Sequence, residues 1–132
     1  MPKATQLNLP LGNEIGTLAR LCRDLAEGGV NLLALSAPEV GHDNGVIRLL
    51  VPNRELAERA LKDAGYLFSS EEVLFVELKN RPGALARAIE KLAKARIDIR
   101  YAYATASTRT QKTAAVVAVD ETELPRALQL LK

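Results

Sequence analysis

The motif Asn-x-x-Gly occurs twice in this chain of 132 residues, as Asn13-Glu-Ile-Gly16 and as Asn80-Arg-Pro-Gly83. Asparagine can donate and accept hydrogen bonds at once, and glycine lets another group approach the backbone closely because it has no Cβ. If a helix begins at each glycine, its first N–H groups have no intrahelical partner and carry the positive end of the helix dipole. Each motif therefore predicts a turn that can bind a small carboxylate.

A purely structural interpretation of the two motifs stays open. Proline at the first turn of a helix beside a glycine, as in Pro82-Gly83, is typical of a tight strand-to-helix loop. The repetition of Asn and Gly favours ligand binding, as do Asn31 and Asp98, each expected at the start of the next strand. Their side chains can accept hydrogen bonds from an ammonium group. The predicted ligand is a free amino acid, lying where two copies of the motif-bearing module meet.

The remaining reactive side chains predict no chemistry. His42, beside Asp43, is the single histidine, and Cys22 is the single cysteine. No nucleophile or second acid has a repeated placement that would support acid–base catalysis, and a metal site needs more ligands of this kind. We expect no catalytic residue, no metal and no cofactor, with His42 in a solvated loop and Cys22 as a small buried apolar residue.

Composition and charge narrow the class of protein. The chain is 48% hydrophobic and 26% charged, with a net charge of +2, which is typical of a globular protein. No block of like charges indicates a nucleic-acid or membrane partner, and no apolar run approaches the ~18 residues that span a bilayer. A lone cysteine is typical of a reducing compartment, so we expect a cytoplasmic protein.

An internal repeat organises the sequence. When the chain is shifted by 67 residues, the segment from Asn13 to Arg20 falls on the segment from Asn80 to Arg87, and further matches follow in the same order. Duplication explains the shared order and near-constant offset. We expect two modules, at residues 1–70 (the first copy) and 71–132 (the second copy).

Each copy reads as strand, helix, strand, strand, helix. Alternating apolar residues predict the first strands, and apolar residues at helical spacing predict the first helices. The sets for the first strands are Leu7, Leu9, Leu11 and Leu74, Val76, Leu78; those for the helices are Leu18, Cys22, Leu25 and Leu85, Ile89, Leu92.

The following elements are predicted in the same way. Second strands are expected at Val30–Ala37 and Ile97–Thr105, third strands at Val46–Val51 and Ala114–Val119, and second helices near the N-cap types Asn53 and Asp120. The second helices are expected to bury Leu56, Ala60, Ala64 and Leu124, Leu128, Leu131. Tyr101 and Tyr103 are expected on the same side of their strand as Ile97 and Ile99.

The first copy continues past Gly65 into a short fourth strand expected at Tyr66–Ser69, and the second copy has no counterpart to it. This order predicts an α+β fold of two tandem ferredoxin-like βαββαβ modules, the second lacking its last strand. Modules of about 60–65 residues are marginally stable alone. We therefore expect an interface between the copies or a homodimer.

The segment from Phe75 to Ile99, which contains Asn80-Arg-Pro-Gly83, resembles the opening of an ACT domain. ACT domains are small regulatory modules attached to many amino-acid biosynthetic enzymes, such as phosphoglycerate dehydrogenase and aspartate kinase. Residues 5–132 together resemble the stand-alone tandem ACT proteins, which have no catalytic domain. The first copy departs from the family pattern because Ile15 stands where proline is usual.

The resemblance implies a set of ligand-binding residues. In ligand-binding ACT domains the effector is held by the asparagine of the first loop, by the backbone beside the loop glycine and by an asparagine at the start of the second strand. Carried over to this sequence, and extended to neighbouring residues of the turn, these positions are Asn80, Arg81, Gly83, Ala84, Leu85 and Asp98 in the second copy, and Asn13, Gly16, Thr17, Leu18 and Asn31 in the first. Asp98 departs from the usual asparagine.

The sequence as a whole favours a regulatory amino-acid-binding protein that is not an enzyme and acts as a homodimer. The alternative is a regulatory subunit or interaction module for a biosynthetic partner enzyme with no ligand of its own, as in the small subunit of acetohydroxyacid synthase.

Overall fold

The computed structural model describes residues 3–12, 14–38, 45–106 and 112–131. In chain order its elements are β1 (Lys3–Pro10), α1 (Thr17–Glu27), β2 (Ala34–Ser36), β3 (Val46–Leu50), α2 (Arg54–Asp63), β4 (Ser69–Lys79), α3 (Ala84–Lys94), β5 (Ile99–Ala106), β6 (Lys112–Val119) and α4 (Leu124–Leu130). The chain divides into two compact units, Thr5–Glu71 and Met1–Ala4 with Glu72–Lys132, which we call the first and second units.

The first unit has the strand order β2-β3-β1, with both pairings antiparallel. Its core lies between one sheet face and the helices α1 and α2. The strands bury alternate residues because side chains alternate between the two faces of a strand. The buried core residues are Leu7, Leu9, Leu21, Leu25, Ile47, Leu49, Val51, Ala57 and Leu61.

The second unit repeats this arrangement with the order β4-β6-β5, again antiparallel. An ion pair of 2.8 Å joins Lys3 Nζ to Glu72 Oε2 within this unit. The predicted α+β class and the two ferredoxin-like modules are confirmed. The buried core residues are Leu74, Val76, Leu92, Ile97, Ala115, Val117, Val119, Leu124 and Ala127.

The buried face of α1 differs from the prediction at one position. Leu21 is fully buried, whereas Cys22 is exposed. The prediction that Cys22 lies on the buried face was wrong. An apolar stripe that contains Leu18 and Leu25 can pass through position 21 or position 22, and these two positions lie about 100° apart around the helix axis. The thiol therefore faces away from the core.

The buried face of α2 is also displaced by one residue from the prediction. Ala57 and Leu61 are fully buried, Leu56 and Ala60 are half-buried, and Ala64 is exposed. In α4 the predicted Leu124 is buried together with Ala127, while Leu128 and Leu131 are half-buried.

Of the two N-caps predicted for the second helix of each copy, one is confirmed and one is wrong. The side chain of Asn53 caps α2, accepting a hydrogen bond from the backbone N–H of Leu56 at 3.1 Å. Asp120 does not cap α4, because it instead accepts hydrogen bonds from the backbone and hydroxyl of Thr122 at 2.9 and 2.7 Å. The helix begins four residues later, at Leu124, with Pro125 in its first turn.

Two strands differ from the predicted pattern. The fourth strand expected at Tyr66–Ser69 is not formed there, because Tyr66, Leu67 and Phe68 lie outside any strand. Ser69 is instead the first residue of β4, which continues to Lys79. In β5 a register shift between Ile99 and Tyr101 sets Ile99 opposite Val119 and Tyr101 opposite Ala118. The irregularity reverses the alternation, so Tyr101 and Tyr103 lie on the sheet face opposite to Ile99.

No helix in the described ranges is long and apolar enough to span a membrane.

Candidate ligand-binding turns

The two Asn-x-x-Gly motifs form turns of the same geometry. Gly16 has φ 87° and ψ −16°, Gly83 has φ 89° and ψ −12°, and each is the N-cap of the helix that follows. Glycine is favoured at both positions because the left-handed conformation is unfavourable for residues with a Cβ. Three backbone hydrogen bonds recur at the same offset of 67 residues; in the second turn they join Arg81 to Lys79, Ala84 to Arg81 and Arg87 to Gly83.

Both turns leave backbone donors available. In the second turn the N–H groups of Leu85 and Ala86 have no acceptor within the described part of the chain, and no side chain caps α3. The matching N–H groups in the first turn belong to Leu18 and Ala19, and α1 likewise has no side-chain cap. Such N–H groups favour anions.

The predicted turn residues lie as follows. In the second turn Asn80, Arg81, Gly83 and Leu85 are exposed and Ala84 is buried; in the first turn Gly16 is exposed and Thr17 and Leu18 are half-buried. Asn13 lies outside the described residues. Both glycine backbones are therefore accessible from solvent.

Asn31 and Asp98 do not join these turns within one unit. Each is exposed and follows the far end of a helix of 11 residues, α1 or α3. A helix of that length measures roughly 16 Å. The glycine turn and the start of the next strand are therefore at opposite ends of the helix in each unit.

A cleft of about 330 Å³ lies beside the second turn. Two of the predicted residues, Arg81 and Ala84, line it. Its lining is a mixture of apolar residues and five charged ones, of which Arg81, Arg87 and Lys91 belong to the turn and to α3 and Glu77 and Lys79 to β4. The lining residues are Val76, Glu77, Leu78, Lys79, Arg81, Ala84, Arg87, Ala88, Lys91 and Leu131.

Arg87 is the side chain closest to the second glycine. A Cβ built on Gly83 would lie 2.9 Å from Arg87 Nη1, so the guanidinium lies against the bare backbone of the turn. Neither Arg87 nor Lys91 was a predicted site residue, because both belong to the body of α3. The available signal was the repeat itself, in which Lys91 replaces Asp24.

The corresponding arginine of the first unit is held differently. Arg20 Nε donates to the hydroxyl of Tyr66 at 3.4 Å, with the guanidinium 5.7 Å from the ring centre. The same hydroxyl donates to Asp24 Oδ2 at 2.7 Å. Burial, and next the hydrogen bond to Asp24, raise the pKa of Tyr66. Among the described residues, no atom outside Gly16 and its chain neighbours lies within 4 Å of a Cβ built on Gly16.

The described residues offer no cluster of three or more His, Cys, Asp or Glu side chains that could hold a metal ion. Cys22 is exposed, and His42 and Asp43 lie outside the described residues.

The family model described as an ACT domain pair matches residues 3–132, so the chain belongs to the ACT domain pair family. This confirms the family that the sequence resembles. No curated protein matches the chain in sequence.

Solved structures agree with this assignment. Protein BT0572 from Bacteroides thetaiotaomicron is 28% identical, with a TM-score of 0.84 covering 98% of this chain and 87% of that one. The regulatory subunit of aspartate kinase from Thermus flavus is 16% identical, with a TM-score of 0.63 covering 99% and 91%. Aspartokinase III of E. coli, solved with lysine and aspartate, is 16% identical, with a TM-score of 0.57 covering 98% of this chain and 30% of the enzyme.

Proposed function

We propose that this protein is a regulatory amino-acid sensor, not an enzyme, and that its effector binds at the Gly83 turn of the second unit. The observation that carries the proposal is the exposed glycine backbone with the available N–H groups of Leu85 and Ala86, beside a cleft lined by Arg81. The effector's carboxylate accepts hydrogen bonds from these donors. Asn80 is exposed next to them and contacts the polar groups of the effector.

Membership of the ACT domain pair family supports this proposal, as does the similarity of fold to the regulatory subunit of an aspartate kinase. The same similarity favours a second candidate, a regulatory subunit that acts through a partner enzyme. Purification of the protein from its own cells distinguishes the two, since only the second requires a stoichiometric large partner.

We further propose that the protein is a homodimer. Leu33 and Leu67 are 50% and 79% exposed, and Ile15 is fully exposed. Exposed apolar side chains that lie singly are normal on a monomer, so the proposal is supported instead by the small size of the two units, which are marginally stable alone and gain buried surface from an interface. Light scattering should give twice the chain mass of 14.3 kDa, and a monomer across the accessible concentration range would contradict this part of the proposal.

Thermal unfolding with each of the twenty amino acids tests the sensor. A ligand present at about one hundred times its Kd stabilises the folded state by about 2.7 kcal/mol, which raises the Tm by several degrees. We expect one or a few amino acids at ~10 mM to do this. If all twenty leave the Tm unchanged, the sensor proposal is wrong.

A matched pair of variants locates the site. Gly83→Asn places a side chain over the second turn, and Gly16→Asn places one over the first. Both positions have nearly the same positive φ, which asparagine tolerates better than most residues, so both variants should lose about 1 kcal/mol of stability. Only Gly83→Asn should abolish the ligand-induced rise in Tm. Equal loss in both variants would contradict the assignment to the second turn.

A further inference from the structure

The charges around the second-unit cleft differ from those at the matching positions of the first copy. Its lining residues include the cations Lys79, Arg81, Arg87 and Lys91 and the acidic residue Glu77. Glu77 and Lys79 alternate along β4 with the core-facing Val76 and Leu78, so the charged side chains on the cleft side are Arg81, Arg87 and Lys91. No ion pair to a described carboxylate involves any of these three cations. Like charges that share one small cleft repel one another, and an anionic ligand relieves that repulsion.

The first copy has lost this character at the same offset of 67 residues. Its matching positions are occupied by two carboxylates, one cation and two uncharged residues, namely Glu14, Asp24, Arg20, Pro10 and Gly12. The fold and the turn are repeated, but the positive charge is confined to the second copy.

The two matched arginines show the consequence of this difference. In the first unit Asp24 accepts the hydroxyl hydrogen of Tyr66, and that hydroxyl accepts a hydrogen bond from Arg20, so the guanidinium is drawn to the tyrosine. In the second unit position 91, which matches Asp24, is a lysine. Arg87 instead lies against Gly83 and lines the cleft together with Lys91.

We infer that the cleft beside Gly83 selects a small ligand with two carboxylates, such as a dicarboxylic amino acid, over a neutral or cationic amino acid. The inference rests on the proposed function and specifies its effector. One anionic group is bound at the backbone donors of the turn, and the second is bound by the cations that flank the cleft. The apolar residues Val76, Leu78 and Ala88 in the lining offer contacts for a short aliphatic chain between the two groups.

Isothermal titration of the full chain with ligand pairs that differ in one charge tests the inference. The pairs are L-glutamate with L-glutamine and L-aspartate with L-asparagine; succinate serves as a dianion without an ammonium group, and L-lysine as a cationic amino acid. We expect the acidic member of at least one pair to bind about tenfold more tightly than its amide. Its Kd should rise several-fold between about 0.05 M and about 0.5 M salt, because exposed charges are screened.

Variants separate the cleft from the net charge of the chain. Lys91→Asp installs the residue of the first copy, and Lys94→Asp makes the same change of charge one turn further along α3, outside the cleft. We expect Lys91→Asp to weaken binding of the acidic ligand at least tenfold and Lys94→Asp to change it less than threefold. Arg87→Gln should weaken it and Arg20→Gln, its match in the first copy, should not. Circular dichroism of each variant verifies folding.

The outcomes distinguish this inference from the proposed function. If a neutral amino acid binds as tightly as its acidic partner and Lys91→Asp has no effect, the dicarboxylate inference is overturned and the sensor stands. If succinate binds as tightly as the acidic amino acids, the dicarboxylate cleft stands and the amino-acid sensor is overturned. If no probe binds, the dicarboxylate inference is overturned, and the thermal screen of the twenty amino acids decides the sensor.

Discussion

Tyr66 joins two charged side chains of α1. Its hydroxyl donates to Asp24 at 2.7 Å and accepts from Arg20 at 3.4 Å. Hydrogen bonds to charged groups contribute about 1.5–3 kcal/mol when buried, and this one is half-exposed. We expect Tyr66→Phe to lower the free energy of unfolding by about 1 kcal/mol, measured by urea denaturation.

A double-mutant cycle verifies that the loss comes from this contact. Asp24→Asn and Tyr66→Phe should together destabilise the chain by less than the sum of the single variants, because both remove the same interaction. Strict additivity would show that Tyr66 and Asp24 act independently.

The pKa of Tyr66 extends this prediction to alkaline pH. Burial, followed by the hydrogen bond to Asp24, raises the pKa of Tyr66 above its ordinary value of 10.0. The phenol is therefore harder to deprotonate in the folded than in the unfolded state, so its contribution to stability is complete below pH about 10 and is lost as pH rises through the folded-state pKa. Tyr66→Phe should show a smaller alkaline loss of stability than the parent chain.

The residues of the candidate site were only partly predictable. The two glycines follow from the sequence because their backbone conformation favours glycine over residues with a Cβ. Arg87 and Lys91 do not, because their relevance depends on where α3 directs long side chains. Asp98 is expected to meet a turn only across an interface between two copies, and within its own unit α3 separates it from the Gly83 turn; this placement stays a prediction. Side-chain direction and helix length are properties of the folded chain.

At the scale of elements, Gly28 allows α1 and α2 to approach closely. A Cβ at this position would lie 2.6 Å from the Cβ of Ala60, and Gly28 has an ordinary negative φ. Gly28→Ala therefore causes steric overlap without backbone strain. We expect it to lower the free energy of unfolding by about 1–3 kcal/mol, measured by thermal and urea denaturation.

Removal of the opposing methyl group is the control for this contact. Ala60→Gly alone should cost about 1 kcal/mol, since glycine is unfavourable inside a helix. In the double variant the steric overlap is absent. Gly28→Ala should therefore lower the free energy of unfolding of the Ala60→Gly variant by no more than about 0.5 kcal/mol. An undiminished loss would contradict the packing explanation.

The elements were more predictable than their faces. The alternation of apolar residues predicted Leu7 and Leu9 as core residues, because a strand has only two faces. The repeat predicted the same pattern in the second unit. A helix offers more than one apolar stripe, and the predictions for α1 and α2 selected the wrong neighbour. The register shift between Ile99 and Tyr101 cannot be predicted from the alternation of apolar residues, because it depends on how β5 pairs with β6.

At the scale of the whole molecule, duplication has produced two turns of one geometry in different electrostatic surroundings. The backbone geometry of Gly16 and Gly83 agrees within a few degrees. The arginine beside the first is held by Tyr66, and the arginine beside the second lines a positively charged cleft. In the proposed function the second unit therefore contains the effector site and the first unit has a structural role.

The most direct test of this account is a two-dimensional NMR titration of the ¹⁵N-labelled chain with the amino acid that stabilises it most. The account predicts the largest amide shifts from Arg81 to Arg87, including Gly83, Leu85 and Ala86, with much smaller shifts at Gly16 and Asp98. Largest shifts at the first turn or around Asp98, with the Gly83 turn unmoved, would contradict it.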